Sequence, residues 1–195
     1  MGVKKKTAAR RPTKAGAGAK AKAKAEAGAK AKVAAGAPAV AQSAAERRAA
    51  EAELKGLIDT FTPTQLSLIA AMRRSLRKRL PTVHEVVYEY RDCFVISYSP
   101  SGHGYEGVLG IRGSADGVRL YFNGGKDLPD PEGLLQGAGG MARWVAVEGV
   151  STLARPAVAG LIAGAIERAG APFAASGTGS VVVRPTTARK RSGRS

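Results

Sequence analysis

Hydrophobic positions become periodic only from about residue 44 onward. Leu54, Leu57 and Ile58 fall at the i, i+3, i+4 spacing of one helix face and predict a first helix over about 44–59. Thr62-Pro63-Thr64-Gln65 then reads as a second helix start. It offers a threonine cap, a proline at the first helical position, and a glutamine that closes a capping box. Leu66, Ile69, Met72, Leu76 and Leu80 give that helix an inward face. It ends before Pro81, because a residue preceding proline avoids helical angles. The pattern then shortens. Val83–Tyr90, Cys93–Ser99, Val108–Arg112, Val118–Asn123 and Ala142–Glu148 read as strands, with glycine- and proline-rich loops over 100–107 and 124–140. Asp116-Gly117 marks a hairpin between the third and fourth. Pro156 opens a last helix with Val158, Leu161, Ile162, Ala165 and Ile166 inward, and Gly170 stops it before Pro172. The order helix, helix, strands, helix predicts an α+β domain over 46–170, with helices packed on one mainly antiparallel β-meander.

The flanks lack this pattern. Every odd position from Ala15 to Ala31 is alanine, with lysines between. A period of two spreads lysines over all faces of a helix, so no apolar stripe forms. With almost nothing to bury, residues 1–45 do not offset their ordering entropy and are expected to be disordered. Residues 171–195 hold small residues and then Arg189-Lys190-Arg191, and are read as a second disordered tail.

Charge follows the same division. The chain carries 31 Lys and Arg against 15 Asp and Glu, a net of +16. Residues 1–45 account for +10 and residues 184–195 for +5, which leaves 46–183 at +1. Two basic tails on a nearly neutral domain point to a polyanionic partner, DNA or RNA, held electrostatically and without base reading. The residues expected to bind it are Lys4, Lys5, Lys6, Arg10, Arg11, Lys14, Lys20, Lys22, Lys24, Lys30, Lys32, Arg189, Lys190, Arg191 and Arg194. The first tail resembles in composition the lysine-alanine tails of linker histones and of bacterial histone-like proteins. It lacks the leucines and aromatics that insert into lipid, so no membrane partner is expected. No run approaches the roughly 20 apolar residues a membrane span needs. Lys4-Lys5-Lys6 is not followed by the apolar stretch of a signal peptide. One cysteine, Cys93, excludes an intrachain disulfide and a cysteine-rich zinc site. These features fit a cytoplasmic, nucleoid-associated protein; no protein partner is indicated.

Several segments of the middle resemble the YdhG-like family of small bacterial domains. They are Tyr88-Glu89-Tyr90, Cys93–Pro100, Tyr121-Phe122-Asn123-Gly124, the stretch from Leu128-Pro129-Asp130-Pro131-Glu132-Gly133-Leu134-Leu135-Gln136 to Gly139, Arg143-Trp144-Val145 and Leu153-Ala154-Arg155-Pro156. The resemblance spans roughly 60–168. It implies an α+β fold and mostly an unassigned function, with one branch linked to frataxin-like iron chaperoning, and it supplies no catalytic residues.

Candidate chemistry is sparse. His84 opens a strand beside Glu85 and reads as a surface histidine; His103 sits in a glycine loop that cannot position a base. Cys93, beside Phe94 and Val95, reads as buried packing. No nucleophile elbow occurs, and no enzymatic activity is expected. Asp127, Asp130 and Glu132 are the nearest acidic group, but Pro129 and Pro131 make that loop a rigid turn. No metal or cofactor is expected. Arg73, Arg74, Arg77, Lys78 and Arg79 crowd the end of the second helix, either as a solvated face favoured by the helix dipole or as a phosphate-contacting patch. Tyr88, Tyr90, Tyr121, Asn123, Arg143 and Trp144 either form core with wet tips or converge on one sheet face. The second reading makes a ligand cleft of Arg143, Tyr121 and Asn123, rimmed by Gly137 and Gly139. Arg143 and Trp144 are consecutive and point to opposite faces, so Arg143 needs a carboxylate such as Glu148 or Glu106, or an anionic ligand. Two functions therefore stand. One is a domain tethered to nucleic acid by its tails; the other is a small-ligand or metal-handling domain whose tails only localise or solubilise it.

Overall fold

The computed structural model describes residues 41–184. The fifteen tail cations named above lie outside them. Helix α1 covers Ala44–Ile58 and helix α2 covers Pro63–Arg79. Both open on reciprocal caps. Ser43 accepts from the Glu46 backbone N–H and donates its own N–H to the Glu46 carboxylate; Thr62 and Gln65 do the same for α2. Each box satisfies two backbone groups that a helix end leaves unpaired, so both helices start where the sequence places them.

Five strands follow: β1 His84–Glu89, β2 Cys93–Ser99, β3 Leu109–Ser114, β4 Gly117–Phe122 and β5 Arg143–Ala146. A two-residue turn, Ala115-Asp116, joins β3 to β4. Helix α3 covers Pro156–Glu167, and a sixth strand, β6, covers Val181–Arg184. The sheet order is β5-β4-β3-β2-β1-β6. The first five strands pair antiparallel in chain order, whereas β6 joins β1 in parallel, with Val86 opposite Val182. The sheet is therefore mixed, and the described residues form an α+β fold with three α-helices.

The sixth strand corrects two expectations. The domain does not end at residue 170, and residues 171–184 are not a tail. Nor does it begin at 46. The Gln42 side-chain amide donates to the Val181 carbonyl at 2.7 Å and accepts from its N–H at 2.9 Å, so the chain entering α1 is fastened to β6. The sequence concealed β6 because Val181-Val182-Val183 is short and sits between a small-residue, glycine-containing run and the basic C-terminal segment, and its partner is about a hundred residues away.

All three helices lie on one sheet face. Leu54 of α1, Ile69, Met72 and Leu76 of α2, and Val158, Leu161 and Ile162 of α3 share a core with Val87, Phe94, Ile96, Tyr98, Ile111, Leu120, Phe122 and Val145. Those strand residues have a single parity, as the two-residue period of a strand requires. Leu66, expected in this core, is only half-buried, one turn from the exposed start of α2. The opposite face carries Val86, Tyr88, Val95, Arg112, Arg119, Tyr121 and Trp144. None of the three α-helices covers it, but residues 100–107, with a 3-10 turn at Gly104–Glu106, pack over its Val86–Ser97 end and against the Tyr88 hydroxyl.

Candidate functional site

Two clusters of polar side chains stand out, one inside the molecule and one on the open face. The inner one begins at Glu85, on the helix-facing side of β1 and 1% exposed. Arg73 of α2 grips its carboxylate with Nε at 3.0 Å and Nη2 at 2.7 Å, and Tyr98 donates its hydroxyl at 3.0 Å. Arg73 also donates to Glu51 of α1 at 2.9 and 3.0 Å, while Arg77 bonds both Glu51, at 2.6 Å, and Glu85. Two guanidiniums thus meet two carboxylates, and the cluster is neutral. Burial opposes ionisation of Glu51, but the hydrogen bonds from Arg73 and Arg77 outweigh it and hold the carboxyl at about 2. Burial and the adjacent Glu85 charge push the Tyr98 phenol well above its ordinary value. Because Arg73 and Arg77 each bond both Glu51 and Glu85, the cluster ties α1, α2 and β1 together. It removes Arg73 and Arg77 from any phosphate-contacting patch; Arg74, Lys78 and Arg79 remain exposed. A strand pattern does not reveal this arrangement, because Glu85 alternates with apolar residues as a solvent-facing glutamate does.

His84 is also corrected. It is 8% exposed, beneath Ser180, whose backbone N–H donates to Nδ1 at 3.2 Å and whose hydroxyl lies 2.8 Å from the same nitrogen. Nδ1 is therefore an acceptor and the neutral ring carries its proton on Nε2. Burial lowers its pKa. His103 is exposed and stacks on Tyr105 at 5.4 Å.

The outer cluster is a cleft of about 450 Å³ on the open face. Its walls are Tyr88 and Tyr90 on one side and Arg119, Tyr121 and Trp144 on the other, over a floor that includes Cys93, Val95 and Arg112. Register explains the convergence. Tyr88 opposes Val95, Val95 opposes Arg112, Arg112 opposes Arg119, and Tyr121 opposes Trp144. Gly110 lets Tyr121 lie flat across β3, since a Cβ there would meet the phenol ring at 2.5 Å. Burial pushes the Tyr121 hydroxyl up to about 12. The Arg119 guanidinium lies 4.2 Å from the centroid of Trp144, a cation–π contact. Arg112 is exposed, with no ion pair or hydrogen bond among the described residues.

The expected cleft is thus formed in part. Tyr121 belongs to it, and Gly137 abuts it, 3.2 Å from Trp144 Nε1 when a Cβ is built on it. Arg143 reaches only the margin. It projects from the other face of β5, and its guanidinium donates to the Gly139 and Ala142 carbonyls at 2.7 and 2.8 Å, so neither an acid nor a ligand is needed to hold it. Gly139 is bound up in that contact. Asn123 lies elsewhere: its amide donates to the Gly107 carbonyl, and it lines a separate cavity of about 340 Å³ beside α3. Cys93 is half-buried in the cleft, not packed in the core, because Phe94 takes the inward position. Arg112 and Arg119 are the residues sequence reading missed. Two arginines seven apart across a two-residue turn carry the signal, since the hairpin places them side by side.

Among the described residues no group of three or more His, Cys, Asp or Glu is placed to hold a metal, and Asp130 is engaged by the backbone N–H groups of Leu134 and Leu135. No described helix is long and apolar enough to cross a membrane. In comparisons with known proteins, no family model, no curated protein and no solved structure matches the chain.

Proposed function

We propose that this chain is a non-enzymatic nucleic-acid-binding protein, in which a YdhG-like α+β domain is tethered to DNA or RNA by sequence-independent contacts of its basic tails. One observation carries the reading. The segments that hold nearly all the net charge join the domain at one edge: Gln42 is bonded to Val181, and β6 ends three residues on at Arg184. Three residues of strand span about 10 Å, comparable with the Debye length at physiological salt. The two basic segments thus leave a nearly neutral domain from neighbouring points on one edge.

Binding to duplex DNA, titrated across salt, tests this. With about eight tail cations on phosphates, log K falls against log salt with a slope near −7. Random and matched duplexes bind within a small factor of each other. Removing residues 1–40, which spares the Ser43 cap, leaves a slope no steeper than about −4. A slope shallower than about −2 for the whole chain, or marked preference for one sequence, refutes the tether.

A further inference from the structure

We propose that the open face of the sheet binds a single-stranded segment of nucleic acid, stacking bases in the Tyr88–Trp144 cleft and pairing phosphates with Arg112, Arg119 and Arg184. The inference rests on the nucleic-acid function above and adds a face and a strand state to it.

The face has an ordered arrangement. One row of register-matched residues crosses five strands as Arg184, Tyr88, Val95, Arg112 and Arg119. Four strand spacings make that row about 19 Å long. The neighbouring row ends in Tyr121 opposite Trp144. Three arginines and the rings of Tyr88, Tyr121 and Trp144 thus share one face over a length that serves about two or three bases on a comparable sheet. None of the strand positions on this face is Asp or Glu. The nearest carboxylate to Arg119, Asp116 in the β3–β4 turn, stands at 4.0 Å with most of its side chain in solvent. Arg184 makes only a 3.5 Å contact with the Gly102 carbonyl, so positive charge here is poorly neutralised from within.

Strand state follows from shape. A flat aromatic face gains contact with bases that are unstacked and splayed, and a duplex keeps its bases inside. A guanidinium lying over Trp144 already forms a planar platform on which a base can stack. The cleft, at about 450 Å³, is within the range of small-ligand sites and admits a base. The tails, by contrast, respond to phosphate density and not to exposed bases.

Trp144 is the only tryptophan, so its fluorescence reports this face alone. The full chain is titrated at about 0.3 M salt, where tail attraction is screened, with oligo(dT) of about 12 nucleotides, a duplex of equal phosphate number, and thymidine monophosphate. The expected result is quenching by oligo(dT) and little by the duplex or the monophosphate. Arg112→Glu and Tyr90→Ala change exposed side chains and should each weaken oligo(dT) binding about tenfold, with duplex binding altered less than about threefold. Binding of oligo(dT) without quenching, and with both variants unaffected, overturns the face and leaves the tail tether standing. Quenching by the monophosphate equal to that by oligo(dT) overturns it in favour of a small-ligand cleft. Failure of both nucleic acids to bind, at low salt as well, refutes the tether and the face together.

Discussion

Glu85 decides more at the residue scale than any other side chain. A carboxylate 1% exposed persists only because Arg73, Arg77 and Tyr98 occupy its oxygens. Glu85→Gln leaves two guanidiniums facing one carboxylate, and should cost about 3–5 kcal/mol of folding stability, read as a lower urea midpoint at unchanged slope. The same cluster sets the acid limb. Glu51 is held at about 2 against an ordinary 4.5, so its contribution is complete above pH 4.5 and is lost as pH falls from there towards 2. Thermal midpoints between pH 5 and about 2 should fall less steeply in Glu51→Gln than in the parent chain. Little of this was legible in the sequence. Charge at a strand position says nothing about which face it takes, and Arg73 and Arg77 flank the apolar stripe of α2 as ordinary solvated residues do. The aromatic half of the cleft was legible because Tyr88, Tyr121 and Trp144 sit at strand positions whose parity fixes their face. Arg143 obeys alternation and so takes the face opposite Tyr121 and Trp144, with its guanidinium turned back to the Gly139 and Ala142 carbonyls; Asn123 lies just beyond β4, where its bond to the Gly107 carbonyl carries it to another cavity.

Elements with local signatures were read correctly. The Thr62–Gln65 capping box, the stop before Pro81 and the β3–β4 hairpin are encoded within a few residues, and they appear where their chemistry dictates; the Ser43–Glu46 box of α1 is equally local but went unread. The apolar face of α2 is the clearest case. Ile69 is fully buried among Met72, Leu76 and the sheet, so Ile69→Ala should cost about 2–5 kcal/mol, measured by chemical denaturation. A cost under about half a kcal/mol would mean that α2 presents another face. Strand β6 is the opposite case. Its four residues gain stability only from the pairing with β1, a long-range contact that periodicity cannot see.

For the whole molecule, these attachments set the smallest unit that folds well. Residues 41–184 include the Ser43 cap, the Gln42 bridge and β6; residues 46–170 include none of them. The shorter fragment should melt lower, expose β1 as a sheet edge and aggregate at lower concentration, as light scattering would show. The longer fragment should keep the parent chain's melting midpoint within a few degrees. Its duplex affinity should vary little with salt, because the basic segments are gone.

The parallel pair of β1 and β6 has a consequence for the path by which the protein folds. His84 and Ser180, bonded at the head of that pair, are 96 residues apart in sequence. The antiparallel strands β1 to β4 close through short connections, whereas β6 adds only after a large loop has been confined. Through that interval β1 presents an unpaired backbone edge bearing Val86 and Val87, a template for strands of other chains. Gln42 shields the finished edge by supplying, from a side chain, the rung that another strand would otherwise add.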